Sequence, residues 1–133
     1  MPNTETSKKQ NTTSAPWKMH EFFAGSGLVS YGLGEMFDSV WANDISEQKA
    51  AVYEANFGLE RFVLGDIKNI HGIDLPFAHL SWASFPCQDL SLAGSLGGIH
   101  ASRSGLVWEW LRVLEEMQEK PRLLLLENVT GLI

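Results

Sequence analysis

From Lys18 onward, short apolar runs alternate with segments of helical period, and most of the runs end in glycine or an acidic residue. This alternation is the strongest constraint on the fold, because strands that alternate with helices build a mainly parallel sheet covered on both faces. Strands are expected at Lys18 to Phe23, Ser39 to Asn43, Arg61 to Leu64, His79 to Ser84 and Arg122 to Leu126, the last with four consecutive leucines and of fully buried type. A helix is expected from Leu28 to about Phe37, weakened by Gly32 and Gly34. Ser46 can cap a second helix with Ala50, Tyr53 and Phe57 on one face. Ser104 can cap a third, in which Val107, Trp110, Leu111, Leu114 and Met117 form an apolar stripe ended by Pro121. Of Trp108 and Trp110, two apart, one faces the core, and Trp108 is expected at a surface. The fold class that follows is α/β, a doubly wound sheet of about five strands in the common order 3-2-1-4-5.

Composition narrows the function. The 133 residues are 44% hydrophobic, enough for a core, and the formal net charge of -6 argues against a self-sufficient DNA binder. Cys87 is the single cysteine, so no disulfide can form within the chain and a reducing compartment is expected, bacterial cytoplasm or eukaryotic nucleus. The N-terminus lacks a signal-peptide core and no apolar run reaches membrane-spanning length, so neither secretion nor a membrane is expected. Residues 1–15 are polar and aperiodic and read as a disordered arm before a domain at 16–133. His20, His71 and His79 read as ordinary, and no His/Cys spacing suggests a metal site.

The residues with chemical potential fall at expected strand ends, where open parallel sheets bind ligands. Phe23-Ala24-Gly25-Ser26-Gly27 is a strand-to-helix glycine turn, suited to close approach of backbone and ligand or simply to a tight turn. Asp44 follows Gly25 by nineteen residues, the spacing at which a carboxylate accepts ribose hydroxyls, and it equally suits a capping box before the next helix. Asp66, after Gly65, suits an adenine amine or an ordinary turn. Pro86-Cys87 precedes a long segment, 88–103, in which Gly94, Gly97 and Gly98 supply hinges and Gln88, Ser91, His100 and Arg103 supply polar contacts; it reads as a loop or lid. Glu127, closing a run of leucines, needs a polar partner, either structural or catalytic.

Together these segments resemble the cytosine-C5 DNA methyltransferases. Phe22-Phe23-Ala24-Gly25-Ser26-Gly27, Asn43-Asp44, Gly65-Asp66-Ile67, Phe85-Pro86-Cys87-Gln88, Arg103-Ser104-Gly105-Leu106 and Glu127-Asn128-Val129 resemble that family's motifs in order and spacing, over roughly residues 18–131. Leu28 departs from the pattern, standing where the family usually has another glycine. The resemblance implies a Rossmann-like fold and S-adenosylmethionine as methyl donor. It implies a cofactor-binding set of Phe23, Ala24, Gly25, Ser26 and Gly27, Asp44 and Ile45, Asp66 and Ile67, Pro86 and Leu106. Within that set Phe23, Gly25 and Gly27 would line the methionine end, Asp44 the ribose, and Asp66 with Ile67 the adenine. Cys87 would be the nucleophile and Glu127 would hold the base; Gln88, Ser91, Arg103 and Asn128 would contact substrate. The implied partner is duplex DNA with its target cytosine flipped out.

The family's later motifs and its target-recognition region are absent from these 133 residues. A partial catalytic domain is therefore expected, completed by a second chain or by a C-terminal part, and inactive by itself. The alternatives are a tRNA cytosine-C5 methyltransferase and a non-catalytic truncated or split subunit.

Overall fold

The computed structural model describes residues 16–86 and 105–128. The arm expected at 1–15 and the loop expected at 88–103 lie outside the described residues. Five strands, β1 (Trp17–Phe22), β2 (Phe37–Asp44), β3 (Phe62–Leu64), β4 (Leu80–Ser84) and β5 (Leu123–Glu127), form one sheet in the order β3-β2-β1-β4-β5. Every neighbouring pair is parallel. Both strand order and chain direction match the sequence expectation. Among the described residues three helices, α1 (Leu28–Leu33), α2 (Glu47–Phe57) and α3 (Leu106–Glu116), accompany the sheet, with short 3-10 turns at Ile67–Asn69 and Gly72–Asp74. No described helix is long and apolar enough to cross a membrane.

β1 is central, and its last four residues, Met19 to Phe22, are all buried, since both faces of the sheet are covered there. On one face Phe22, Trp41, Ala83 and Phe85 meet Trp110, Val113, Leu114 and Met117 of α3, joined by Ile67 and Ile70. The Trp110 indole donates to the buried Ser81 hydroxyl at 3.0 Å, so the largest ring of the helix docks without losing its polar contact. On the other face Tyr53 of α2 packs with Ala24, Ala42 and Phe62. The α3 stripe expected from the sequence is thus the buried one, and Trp108 is only partly buried.

Several boundaries differ from the sequence reading. α1 ends at Leu33, not near Phe37: Gly34 caps it, and β2 begins two residues earlier than expected because Phe37 pairs with Trp17. The N-cap position of α3 is Gly105, and the helix stops at Glu116, where the Met117 amide bonds back to the Leu114 carbonyl, well before Pro121. Ser46 caps α2 as expected, its hydroxyl accepting from the Lys49 amide at 3.3 Å, but Phe57 is 42% exposed, its ring packed on Tyr53. The reading of the last strand as fully buried is overturned. Every residue of β5 is exposed, because it pairs with β4 on one side and no described strand pairs with its other edge.

Candidate active site

The glycine turn is built by conformations that side chains resist. Phe23, Gly25 and Gly27 all have positive φ, at 55°, 57° and 89°. For Phe23 this left-handed backbone costs about 1–2 kcal/mol, and its ring packs against Phe85 with centroids 4.8 Å apart. The turn is fastened to the next strand: the Ala24 amide donates to the Asn43 carbonyl at 2.9 Å, and the Gly25 amide to Asp44 Oδ2 at 2.8 Å. Beneath it, Ser30 of α1 donates a short hydrogen bond to the carboxyl of Glu21, which is 1% exposed. Burial pushes the Glu21 pKa up, opposed by the Ser30 hydroxyl and the Ser30 and Val29 amides.

Asp44 takes the structural role that its sequence position left open. Besides holding Gly25, its Oδ1 accepts from the Ser46 amide at 2.9 Å, leading directly into α2. Each oxygen retains a second lone pair for a ligand. Asn43 Nδ2 donates to the carbonyls of Val63 and Gly65 at 2.7 and 3.0 Å, tying β2 to the loop after β3. In that loop the Asp66 carboxylate caps the first 3-10 turn through the Lys68 amide at 2.9 Å. Ser84 of β4 pairs with Glu127 of β5, and the Phe85 amide donates to the Glu127 carbonyl at 3.2 Å. The end of β5 and the Phe85-Pro86 exit from β4 are therefore adjacent.

These ends open onto one cavity of about 660 Å³. Phe23, Ala24, Gly25, Ser26, Asp44, Ile45, Asp66, Ile67, Pro86, Leu106 and Glu127 all line it. Gly27 is absent from the lining. It serves packing: a Cβ there would lie 2.5 Å from the Phe57 ring and 2.9 Å from the Tyr53 ring. Asn128 follows Glu127 but is also not among the lining residues. Cys87, Gln88, Ser91 and Arg103 lie outside the described residues. Pro86, next to Cys87, reaches the cavity edge.

The sequence reading missed four features. Asn43 was quoted only as part of a motif, and its clamp on β3 depends on a pairing no local pattern announces. Lys49 lines the cavity; its place one helical turn after Ser46 was a signal that could have found it. Ser84 likewise lines the cavity, and Glu21 shapes the turn from below. Among the described residues the charged side chains around the cavity are three carboxylates, Asp44, Asp66 and Glu127, against one ammonium, Lys49. Among the described residues no cluster of three or more His, Cys, Asp or Glu could hold a metal ion.

A parallel sheet of this order, with a cavity across its strand ends, is a Rossmann-like fold, a class that includes S-adenosylmethionine-dependent methyltransferases. A TehB-like member of that class from Corynebacterium glutamicum shares the fold at TM-score 0.55 and 16% identity, over 84% of this chain and 54% of that one. The S. pombe Dnmt2 methyltransferase superposes with TM-score 0.64 and 25% identity, over 86% of this chain and 34% of that one. The chain belongs to the C-5 cytosine-specific DNA methylase family, whose model matches residues 17–133. Type II methyltransferase M.Bsp6I of Bacillus sp. (strain RFL6) is 35% identical over 114 residues, which cover 84% of this chain and 35% of that protein. The chain spans about a third of the length of the curated relatives it matches.

Proposed function

We propose that the protein carrying this chain transfers a methyl group from S-adenosylmethionine to C5 of cytosine in duplex DNA, and that residues 16–133 contribute the cofactor pocket and the nucleophile. The observation that carries this reading is that the ends of all five strands bring Asp44, Asp66, Glu127 and Pro86, the residue before Cys87 in sequence, to one shared cavity. Its size is within the range of cofactor pockets. Its lining, three carboxylates against one ammonium, suits a ligand with a sulfonium, an amine and one carboxylate. Around Gly25 there is room for such a ligand: a Cβ there would meet only Lys49 Cδ, at 3.7 Å.

In this reading the glycine turn receives the methionine end, Asp44 accepts from the ribose hydroxyls, and Asp66 with Ile67 borders the adenine. Pro86 and Leu106 complete the wall. The bound cofactor supplies an electrophilic methyl group. The Cys87 thiolate adds to C6 of the flipped cytosine, forming an S–C6 bond and making C5 nucleophilic. Glu127 holds the N3 edge in a protonated contact that favours this addition. Loss of the C5 proton after methyl transfer breaks the S–C6 bond and frees Cys87. Gln88, Ser91, Arg103 and Asn128 contact the DNA, and the remainder of the protein supplies sequence recognition.

The test uses full-length protein and duplex DNA containing 5-fluorocytosine, in which no C5 proton can be lost. With S-adenosylmethionine the parent forms a covalent adduct that survives denaturation, and Cys87→Ser does not. An adduct of equal yield with Cys87→Ala removes Cys87 from the chemistry.

A further inference from the structure

The cavity wall formed by Asp66 and Ile67 has no strand behind it, since β3 ends at Leu64 and the chain continues as isolated 3-10 turns. Such short turns leave carbonyls without helical partners and hold little intrinsic stability. Here the first of them is fastened by a side chain of α3. Arg112 Nη2 donates to the Ile67 carbonyl at 3.1 Å and to the Ile70 carbonyl at 3.0 Å, the two carbonyls that bracket the first turn. The same guanidinium is held in plane from its other edges, Nε by Glu109 at 2.8 Å and Nη1 by Glu116 at 2.6 Å.

Glu116 extends the clamp. Its second oxygen accepts from the Gly72 amide at 2.8 Å, and that bond, followed by the contact with Arg112, holds the carboxyl below its ordinary pKa. Gly72 lies so close to α3 that a Cβ there would overlap the Val113 carbonyl oxygen. Segment 66–72 is thus held to the helix at Ile67, Ile70 and Gly72. The helix that grips it also begins with Leu106, which lines the same cavity.

The arginine side chain is 31% exposed, so its ion pairs are weak stabilisers. Its planar fork instead satisfies two main-chain carbonyls and two carboxylates in one fixed geometry, which a lysine ammonium cannot reproduce.

We propose that Arg112 is a positioning residue for the cofactor: with Glu109 and Glu116 it fixes the Asp66–Ile67 wall against α3 and so sets the shape of the pocket's adenine end. This rests on the reading that S-adenosylmethionine occupies the cavity with its adenine beside Asp66. Arg112 does not line the cavity and acts only through the turn it holds.

The test is calorimetric titration of full-length protein with S-adenosylmethionine, arranged as two mutant cycles. Arg112→Met, which keeps the packing of the stem, weakens binding about tenfold, the scale of a lost charge-assisted hydrogen bond. Added to Asp66→Ala it causes no further loss, because both changes disable the same wall. Added to Asp44→Ala, at the other end of the ligand, its factor persists in full. If the Met variant does not fold, Arg112→Lys carries the same cycles, with a loss of about threefold and the same pattern of coupling. Unchanged affinity, or a full additional loss on top of Asp66→Ala, overturns the positioning role and leaves the cofactor reading standing. A parent protein that binds no S-adenosylmethionine overturns the cofactor reading itself, and this inference with it.

Discussion

His20 and Glu21 are neighbours on β1, at 0% and 1% exposure, and burial acts on them in opposite senses. The His20 ring bonds to the Pro76 carbonyl through Nε2 at 2.7 Å, yet burial outweighs that bond and lowers its pKa from 6.5. The fold therefore favours neutral His20, a contribution present above 6.5 and lost as pH falls toward the folded value. Glu21, raised from 4.5, contributes fully below 4.5 and loses that contribution as pH rises through the folded value. Glu21→Gln keeps an acceptor for the Ser30 hydroxyl while removing the ionisation. Thermal melts of both proteins between pH 4.5 and 8 are expected to show the variant gaining on the parent as pH rises. A difference that stays flat would mean that Glu21 does not resist ionisation in the fold. Nothing near Glu21 in sequence announces this. A carboxylate one residue before an aromatic pair looks like a surface position until the sheet is seen to be covered on both faces.

At the scale of the elements, two glycines of one turn do different work. Gly25 faces the cavity and needs only its left-handed backbone, whereas Gly27 needs that backbone and the space taken by the Tyr53 and Phe57 rings. Gly27→Ala is therefore expected to destabilise by about 2–4 kcal/mol, combining backbone strain with overpacking. Gly25→Ala should lose only about 1–2 kcal/mol from the backbone. Urea unfolding of both variants checks the order, and equal losses would put α1 out of contact with α2. The sequence reading grouped both glycines with the cofactor because motif spacing cannot tell a ligand-facing position from a helix-facing one. Element types, strand order and most cavity residues were legible, because periodicity and strand-end polarity are local signals. The early end of α1 was not, since it depends on where β2 begins to pair with β1.

For the whole molecule, the exposed edge matters most. Leu123, Leu124, Leu125 and Leu126 are between 37% and 58% exposed, beside a row of main-chain groups that no described strand pairs. Such an edge templates further pairing. A polypeptide of residues 1–133 by itself is expected to self-associate and to transfer no methyl group to DNA, and the full-length protein is expected to stay dispersed and to methylate. Light scattering and a tritiated-methyl assay on both decide it, and a monodisperse, active 1–133 polypeptide would contradict it.

The central place of β1 has a consequence for how the protein is made. Of the described strands β1 leaves the ribosome first, and β2 and β3 can join it at once, since they follow directly in the chain. Its other neighbour, β4, begins only at Leu80, and β5 at Leu123. Pairing across so long a separation is slow to form. The cavity straddles that seam: the glycine turn, Asp44 and Asp66 belong to the early half, and Pro86, Leu106 and Glu127 to the late half. A nascent chain thus carries only one wall of the pocket until translation has passed β5, and any ligand that needs both walls can stabilise the protein only after the second half has docked.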